Sequence, residues 1–208
     1  MTITIDGTTG IASVDGSAGS PSVRGADANS GIFYSSDAIK FSTGGTERLA
    51  MTTTAYPRIL QVVTYASTTS TLINSASMED SGLSGSITPS SSSSKILILI
   101  HQPFYVWKDD VSGSLKPRGA WRVLRDSTSI LSTANAWSWG PNITGNITGA
   151  TGMDIRGIIS INYLDSPSTT SAITYKTQGR PESTGDNGHI YFQVDSNPAS
   201  MQLLEVAG

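Results

Sequence analysis

Apolar positions are spread along this chain at two densities, and the change between them falls near residue 57. Over residues 1–56 they come singly or in pairs: Val23, Ile32, Phe33, Ile39, Phe41 and Leu49 are separated by Gly, Ser, Asp and Asn. Turn formers recur every few positions, which disfavours helix and predicts short strands. Thr2-Ile3-Thr4-Ile5 opens as a short alternating strand, and Asp6-Gly7 follows as a turn signal. Too few apolar groups stand together to give this segment a core of its own. Copies wrapped around one another would bury Ile3, Ile5, Ile32, Phe33, Ile39 and Phe41 jointly. Residues 1–56 are therefore expected to be an extended segment for oligomerisation and attachment, with Pro57 as a hinge.

From residue 57 onward the pattern is that of a folded domain. Ile59–Tyr65 reads as a buried strand, and Lys95-Ile-Leu-Ile-Leu-Ile-His101 as a central one covered on both faces. Thr71–Ala76 and Leu83–Thr88 alternate weakly. Ala120–Asp126 and Ser129–Leu131 flank a short turn and predict a hairpin. Ile155–Leu164, Ala172–Lys176, His189–Val194 and Met201–Val206 complete nine or ten strands, joined by Gly, Ser, Asn and Pro loops. No window shows an apolar repeat at helical spacing. The expected fold class is all-β: an extended fibre-like N-terminal segment, then a β-sandwich, jelly-roll-like, over 57–208.

The bulk properties narrow the function classes. The chain has 208 residues, a formal charge of -3 and only 14% charged residues. Without a basic excess to neutralise phosphates, nucleic-acid binding is disfavoured. With no cysteine, disulfides and thiolate metal sites are excluded. Met-Thr-Ile-Thr-Ile-Asp has neither a basic nor an apolar leader region, so no signal peptide is expected. The longest apolar run, Ile96–Ile100, is too short to span a membrane, so no membrane insertion is expected.

Two stretches carry a resemblance. Pro21, Ser22, Gly25, Asp27, Ser30, Gly31, Ile32 and Phe33, followed by Asp37, Ile39, Phe41, Thr43, Gly44, Gly45, Glu47 and Arg48, resemble the shaft and connector segments of bacteriophage tail-fibre and related virion appendage proteins. Leu83–Ile98, Arg122–Ile130, Tyr163–Lys176 and the terminal Leu-Leu-Glu-Val-Ala-Gly are similar to a β-rich C-terminal domain of such fibres. The resemblance implies a non-enzymatic virion structural protein, made in the host cytoplasm and assembled as a homotrimer. It further implies contacts to other virion proteins through the N-terminal segment and a role in attachment to a host cell-surface glycan or protein. A head fibre or capsid decoration protein is the alternative, and a polysaccharide-cleaving tailspike a further one.

Candidate chemistry is sparse. The acidic pairs Glu79-Asp80 and Asp109-Asp110 are adjacent, so on a strand each pair points to opposite faces and cannot straddle a sugar. His101 and His189 are the only histidines, and they read as ordinary strand-end residues. No metal site is expected from them, although one ligand per chain on a trimer axis stays open. Ser84 lacks a strand-to-helix turn, and the Gly-rich stretches lack the Gly-Lys-Ser/Thr of a phosphate loop. No cofactor and no catalytic residue is expected. Aromatic side chains are what remains. Tyr105 and Trp107 follow the central strand, and Trp137 and Trp139 lie two apart in a Gly/Asn-rich loop. Residues two apart on an extended chain face the same way. These pairs stack on sugar rings, pack a subunit interface or fill the core, and interface or core is the favoured expectation. Trp121, in an alternating strand, is expected in the core.

Overall fold

A computed structural model of the chain describes residues 4–6, 10–12, 15–35, 37–52, 58–109, 117–133 and 152–208. The chain forms two compact units, Met1–Tyr56 and Pro57–Gly208. The described elements are β-strands apart from one turn of 3-10 helix, so the fold class is all-β. Ile3, Trp137 and Trp139, and Asp110 of the second acidic pair, lie outside the described residues.

The first unit is a set of short antiparallel strands. Strands β1 (Thr4–Asp6) and β2 (Gly10–Ala12) pair with Ile5 opposite Ile11. A second small pair is β3 (Gly16–Ser17) with β4 (Ser20–Pro21). The main sheet is a meander of β5 (Val23–Arg24), β6 (Gly31–Ser35), β7 (Ala38–Thr43) and β8 (Thr46–Thr52). Its register decides which side chains share a face. Val23 lies opposite Ile32, Ile32 opposite Phe41, and Phe41 opposite Leu49. The next row on that face joins Tyr34, Ile39 and Met51. The reverse face carries Phe33, Lys40 and Ala50. There β3 and β4 pack on β6, and the Lys40 ammonium sits 5.8 Å over the Phe33 ring while pairing with Glu47 at 3.0 Å. Phe33 is thereby buried within its own chain. It is not available for burial between copies, and this corrects its grouping with Ile32, Ile39 and Phe41: on a strand, neighbours point to opposite faces.

The second unit is a two-sheet sandwich. Its strands are β9 (Ile59–Ser67), β10 (Thr71–Ile73), β11 (Glu79–Ile87), β12 (Lys95–Asp109), β13 (Gly119–Arg125), β14 (Thr128–Ser132), β15 (Gly152–Asp165), β16 (Ile173–Pro181), β17 (His189–Phe192) and β18 (Ala199–Val206). One sheet runs β11-β16-β13-β14. The other runs β10-β17-β12-β18-β9, with β15 paired along the whole of β12. Between them lie Ile96, Ile98, Ile100, Ile190, Phe192, Met201 and Leu203 from one sheet and Leu83, Val123, Ile173 and Tyr175 from the other. Trp121 packs against this core while staying half-buried.

Strand β12 is twice the length its apolar run predicts. It continues through Pro103, which has no N–H to give a ladder. The proline sits where one neighbour hands over to the next: β18 pairs with Lys95–His101 and β17 with Phe104–Trp107. Its carbonyl accepts from the Gln193 N–H at 3.1 Å. His101 is therefore an exposed mid-strand residue, not a strand end. Strands β11 and β16 also outrun their apolar signal, because polar residues fill inward positions. Buried Ser81 donates to the Thr177 carbonyl at 3.0 Å and accepts from the Gln102 amide at 2.8 Å.

Two buried carboxylates fasten the sandwich. Asp165 on β15 accepts from Arg125 at 2.9 and 3.0 Å and from the Tyr175 hydroxyl at 2.7 Å, joining the two sheets. Burial, then Asp165, pushes the Tyr175 phenol well above its ordinary range. Glu205 on β18 holds the Ser90 backbone N–H and hydroxyl, each at 2.7 Å, and the Gln61 amide at 2.6 Å. Burial alone would raise its carboxyl, but the bonds from Ser90 and Gln61 outweigh this and bring it down to about 2. A depressed carboxyl stabilises the fold above its unfolded value of 4.5 and loses that contribution as pH falls toward 2. Glu205→Ala, which strands these donors, is expected to cost about 2 kcal/mol. Its loss relative to the parent should shrink between pH 5 and pH 2 in thermal unfolding scans, about the interval the two values define.

Candidate functional site

Side chains at odd positions of β12 point away from the core, and near its C-terminal end they are aromatic. Tyr105 and Trp107 lie side by side there, ring centroids 6.3 Å apart and planes 18° apart. The sheet register brings Tyr191 opposite Tyr105 and His189 opposite Trp107 from β17. Tyr191 is 6.0 Å and His189 6.2 Å from the Tyr105 centroid, and His189 meets Tyr191 edge-on at 5.5 Å. On the other side β15 places Arg156 opposite Tyr105 and Asp154 opposite Trp107.

Trp107 owes its pose to a glycine. A Cβ at Gly152 would collide with the far edge of the indole ring, so the ring lies down over the β15 backbone. Its Nε1–H donates to Asp109 at 2.5 Å. The ring is thus held over Gly152 and stays half-exposed. Arg156 is fixed as well: Asp154 at 3.1 Å and Asp195 at 3.2 Å bind its guanidinium, which stacks 5.0 Å over Tyr105. Its hydrogen bond to Asp154, more than any other contact, raises its already high pKa. Burial, then the Asp154 charge, raises the Tyr105 phenol, which stays neutral near pH 7.

A groove of about 420 Å³ adjoins this cluster, lined by His101, Pro103, Arg156, Ile158, Val194 and Pro198 among others. Its rim is the segment from Gln193 to Asn197, where Gln193, Asp195 and Ser196 hold φ of 50°, 56° and 58°. Non-glycine residues in the left-handed region are uncommon, and three in four positions mark a loop held in place by its surroundings. What the arrangement offers is a preset aromatic platform edged by charged and hydrogen-bonding groups, suited to binding.

The structure therefore unites Tyr105 and Trp107 and leaves Trp137 and Trp139 undescribed. Sequence reasoning missed His189, Tyr191, Arg156 and Asp154. The i, i+2 spacing of His189 and Tyr191 was a usable signal, but only the strand register shows that they flank Tyr105.

No protein-family model and no curated protein matches the chain. Among solved structures, it is similar to chains in the infectious bursal disease virus Gx strain (11% identity, 81% of this chain and 46% of that one, TM-score 0.32). It is also similar to the T13 viral particle of that virus (11%, 81% and 43%, TM-score 0.35) and to its VP2 subviral particle (14%, 80% and 40%, TM-score 0.28). The chain spans less than half the length of these three. At such TM-scores the likeness carries no argument about function.

Gly152→Val is expected to lift the Trp107 ring and break its bond to Asp109. The indole N–H resonance of Trp107 should then shift and lose protection from exchange, while that of Trp121 stays in place. An unchanged Trp107 resonance would contradict the flat pose.

Proposed function

We propose that this chain is a non-enzymatic structural protein of a virus particle, a trimeric fibre of tail-fibre type. Its first unit joins the copies and its second carries the surface for host attachment. The observation that carries the reading is the one-sided apolar face of the β5–β8 sheet. Val23, Ile39, Leu49 and Met51 on that face are 43–57% exposed, with Ile32, Tyr34 and Phe41 half-buried between them, and none of the seven is charged. A unit of this size buries too little to leave such a face in water.

Strand geometry favours three copies. Four strands span about 14–19 Å, and a triangular prism of three such faces puts each about 4–5.5 Å from the axis. Sheets packed face to face lie about 10 Å apart, or about 5 Å from their midplane. Three such faces therefore close a core without a gap. Removing four half-exposed side chains from water contributes about 1 kcal/mol each. Association costs about 4–15 kcal/mol, so this face alone supports weak association.

The aromatic platform of the second unit supports the attachment role. Stacking on a sugar or on a protein aromatic suits an indole that is held in place and half-exposed. Weak sites on three chains add through avidity.

Two substitutions test the halves of this reading separately. Leu49→Asp with Met51→Asp is expected to lower the associated fraction at least tenfold in sedimentation, with unchanged circular dichroism. Trp107→Ala is expected to leave association intact and abolish binding of labelled protein to host cells. Association unmoved by the aspartates contradicts the joining role, and binding unmoved by Trp107→Ala contradicts the attachment role.

A further inference from the structure

The outer face of the six-stranded sheet has two halves. The half away from the aromatic platform is aliphatic and lies where the second unit begins, at Ile59. Register assembles it from four strands. Val62 on β9 lies opposite Leu204 on β18, Leu204 opposite Leu97 on β12, and Leu97 opposite Leu164 on β15. Four aliphatic side chains thus form one row straight across the sheet. The row beside it, toward the start of β9, holds Ile59, Val206 and the exposed Lys95. The two rows on the other side of the Val62 row hold Thr64, Gln202, Leu99 and Asn162, then Ala66, Ser200, His101 and Ser160. No Asp, Glu, Lys or Arg stands in the Val62 row or in these two. Ile59, Val62 and Leu164 are 48–59% exposed.

We propose that this aliphatic half-face is a second contact between copies of the chain, occupied by the same half-face of its neighbours. The inference rests on the reading of the first unit as the joining element and adds where the rest of the association surface lies. Three features select a copy over a foreign partner. First, the three rows offer no charge to specify a partner of opposite sign, Lys95 standing beside them in the Ile59 row, so their best complement is another uncharged, flat face. Second, it is four strands wide, the width at which three faces close around an axis at sheet-packing distance. Third, the areas add. From the strand spacings this half-face covers about 400 Å² in projection and the β5–β8 face about 200 Å². Together they bring about 600 Å² of each copy into contact with its two neighbours, about three times what the β5–β8 face gives alone. Ile59 follows the first unit directly in sequence. Copies gathered by that unit therefore meet through this face at high effective concentration.

The consequence is a division of labour along one strand. Leu97 and Trp107 are ten residues apart on β12, about 34 Å. Copies covering the aliphatic half leave the aromatic half at the other end open for a ligand.

The natural absence of cysteine gives a direct test on the full-length chain. Val62→Cys and Leu164→Cys are made singly, with Thr170→Cys in an exposed loop as control, and reaction with a maleimide is timed while light scattering reports the mass. The expected result is an associated chain in which the cysteines at 62 and 164 react about tenfold or more slower than the control, because they react only when the contact opens. An associated chain in which both react at the control rate overturns this contact and leaves the first unit's role standing. A monomeric chain with rapid reaction at all three positions overturns both.

Discussion

A β-sheet has two faces, and the strand period of two forces every strand to supply both. In this chain each unit covers one face of its main sheet from within. The β5–β8 sheet has Phe33 of β6 under the small β3–β4 hairpin, and its other face shows Val23, Leu49 and Met51 to solvent. The six-stranded sheet has Ile96, Ile98 and Ile100 in the sandwich core, while its other face shows Val62, Leu164 and Ile158. Exposed aliphatic rows in register across four strands are what a monomer selected for solubility avoids. The rest of the account depends on this one constraint: a face built from apolar side chains has to be covered.

Much of the fold is legible in the sequence, and the reasons are local. Ile96–Ile100 marks the central strand because its apolar run is covered on one face and half-covered on the other. The hairpin of β13 and β14 is legible because Asp126, at a φ of 52°, takes the left-handed turn position that Asp tolerates. What is not legible are the places where polar residues stand inward. Ser81, Gln102 and Thr177 lie on core faces because Ser81 bonds to both of the others. A residue whose partner is about a hundred positions away carries no local sign of burial. Pro103 misleads for a related reason: it reads as a strand breaker, yet it sits in the gap between two successive partners.

The candidate site is legible only in part. Tyr105 and Trp107 are visible as an i, i+2 aromatic pair. His189, Tyr191, Arg156 and Asp154 join them through the register of β12 with β17 and β15, which no single segment encodes. Gly152 is the least legible member, since its contribution is the absence of a side chain beneath an indole. The two halves of the outer face also follow from register. Aliphatic positions meet where β9 and β18 flank β12, and aromatic ones where β17 does.

On the proposed reading, copies of the same chain cover these faces. The measurement that tests it most directly is the mass of the full-length protein by multi-angle light scattering at micromolar concentration, without tags or fusion partners. A trimer gives a species of three times the 21.8 kDa chain. A single species at the mass of one chain would contradict it.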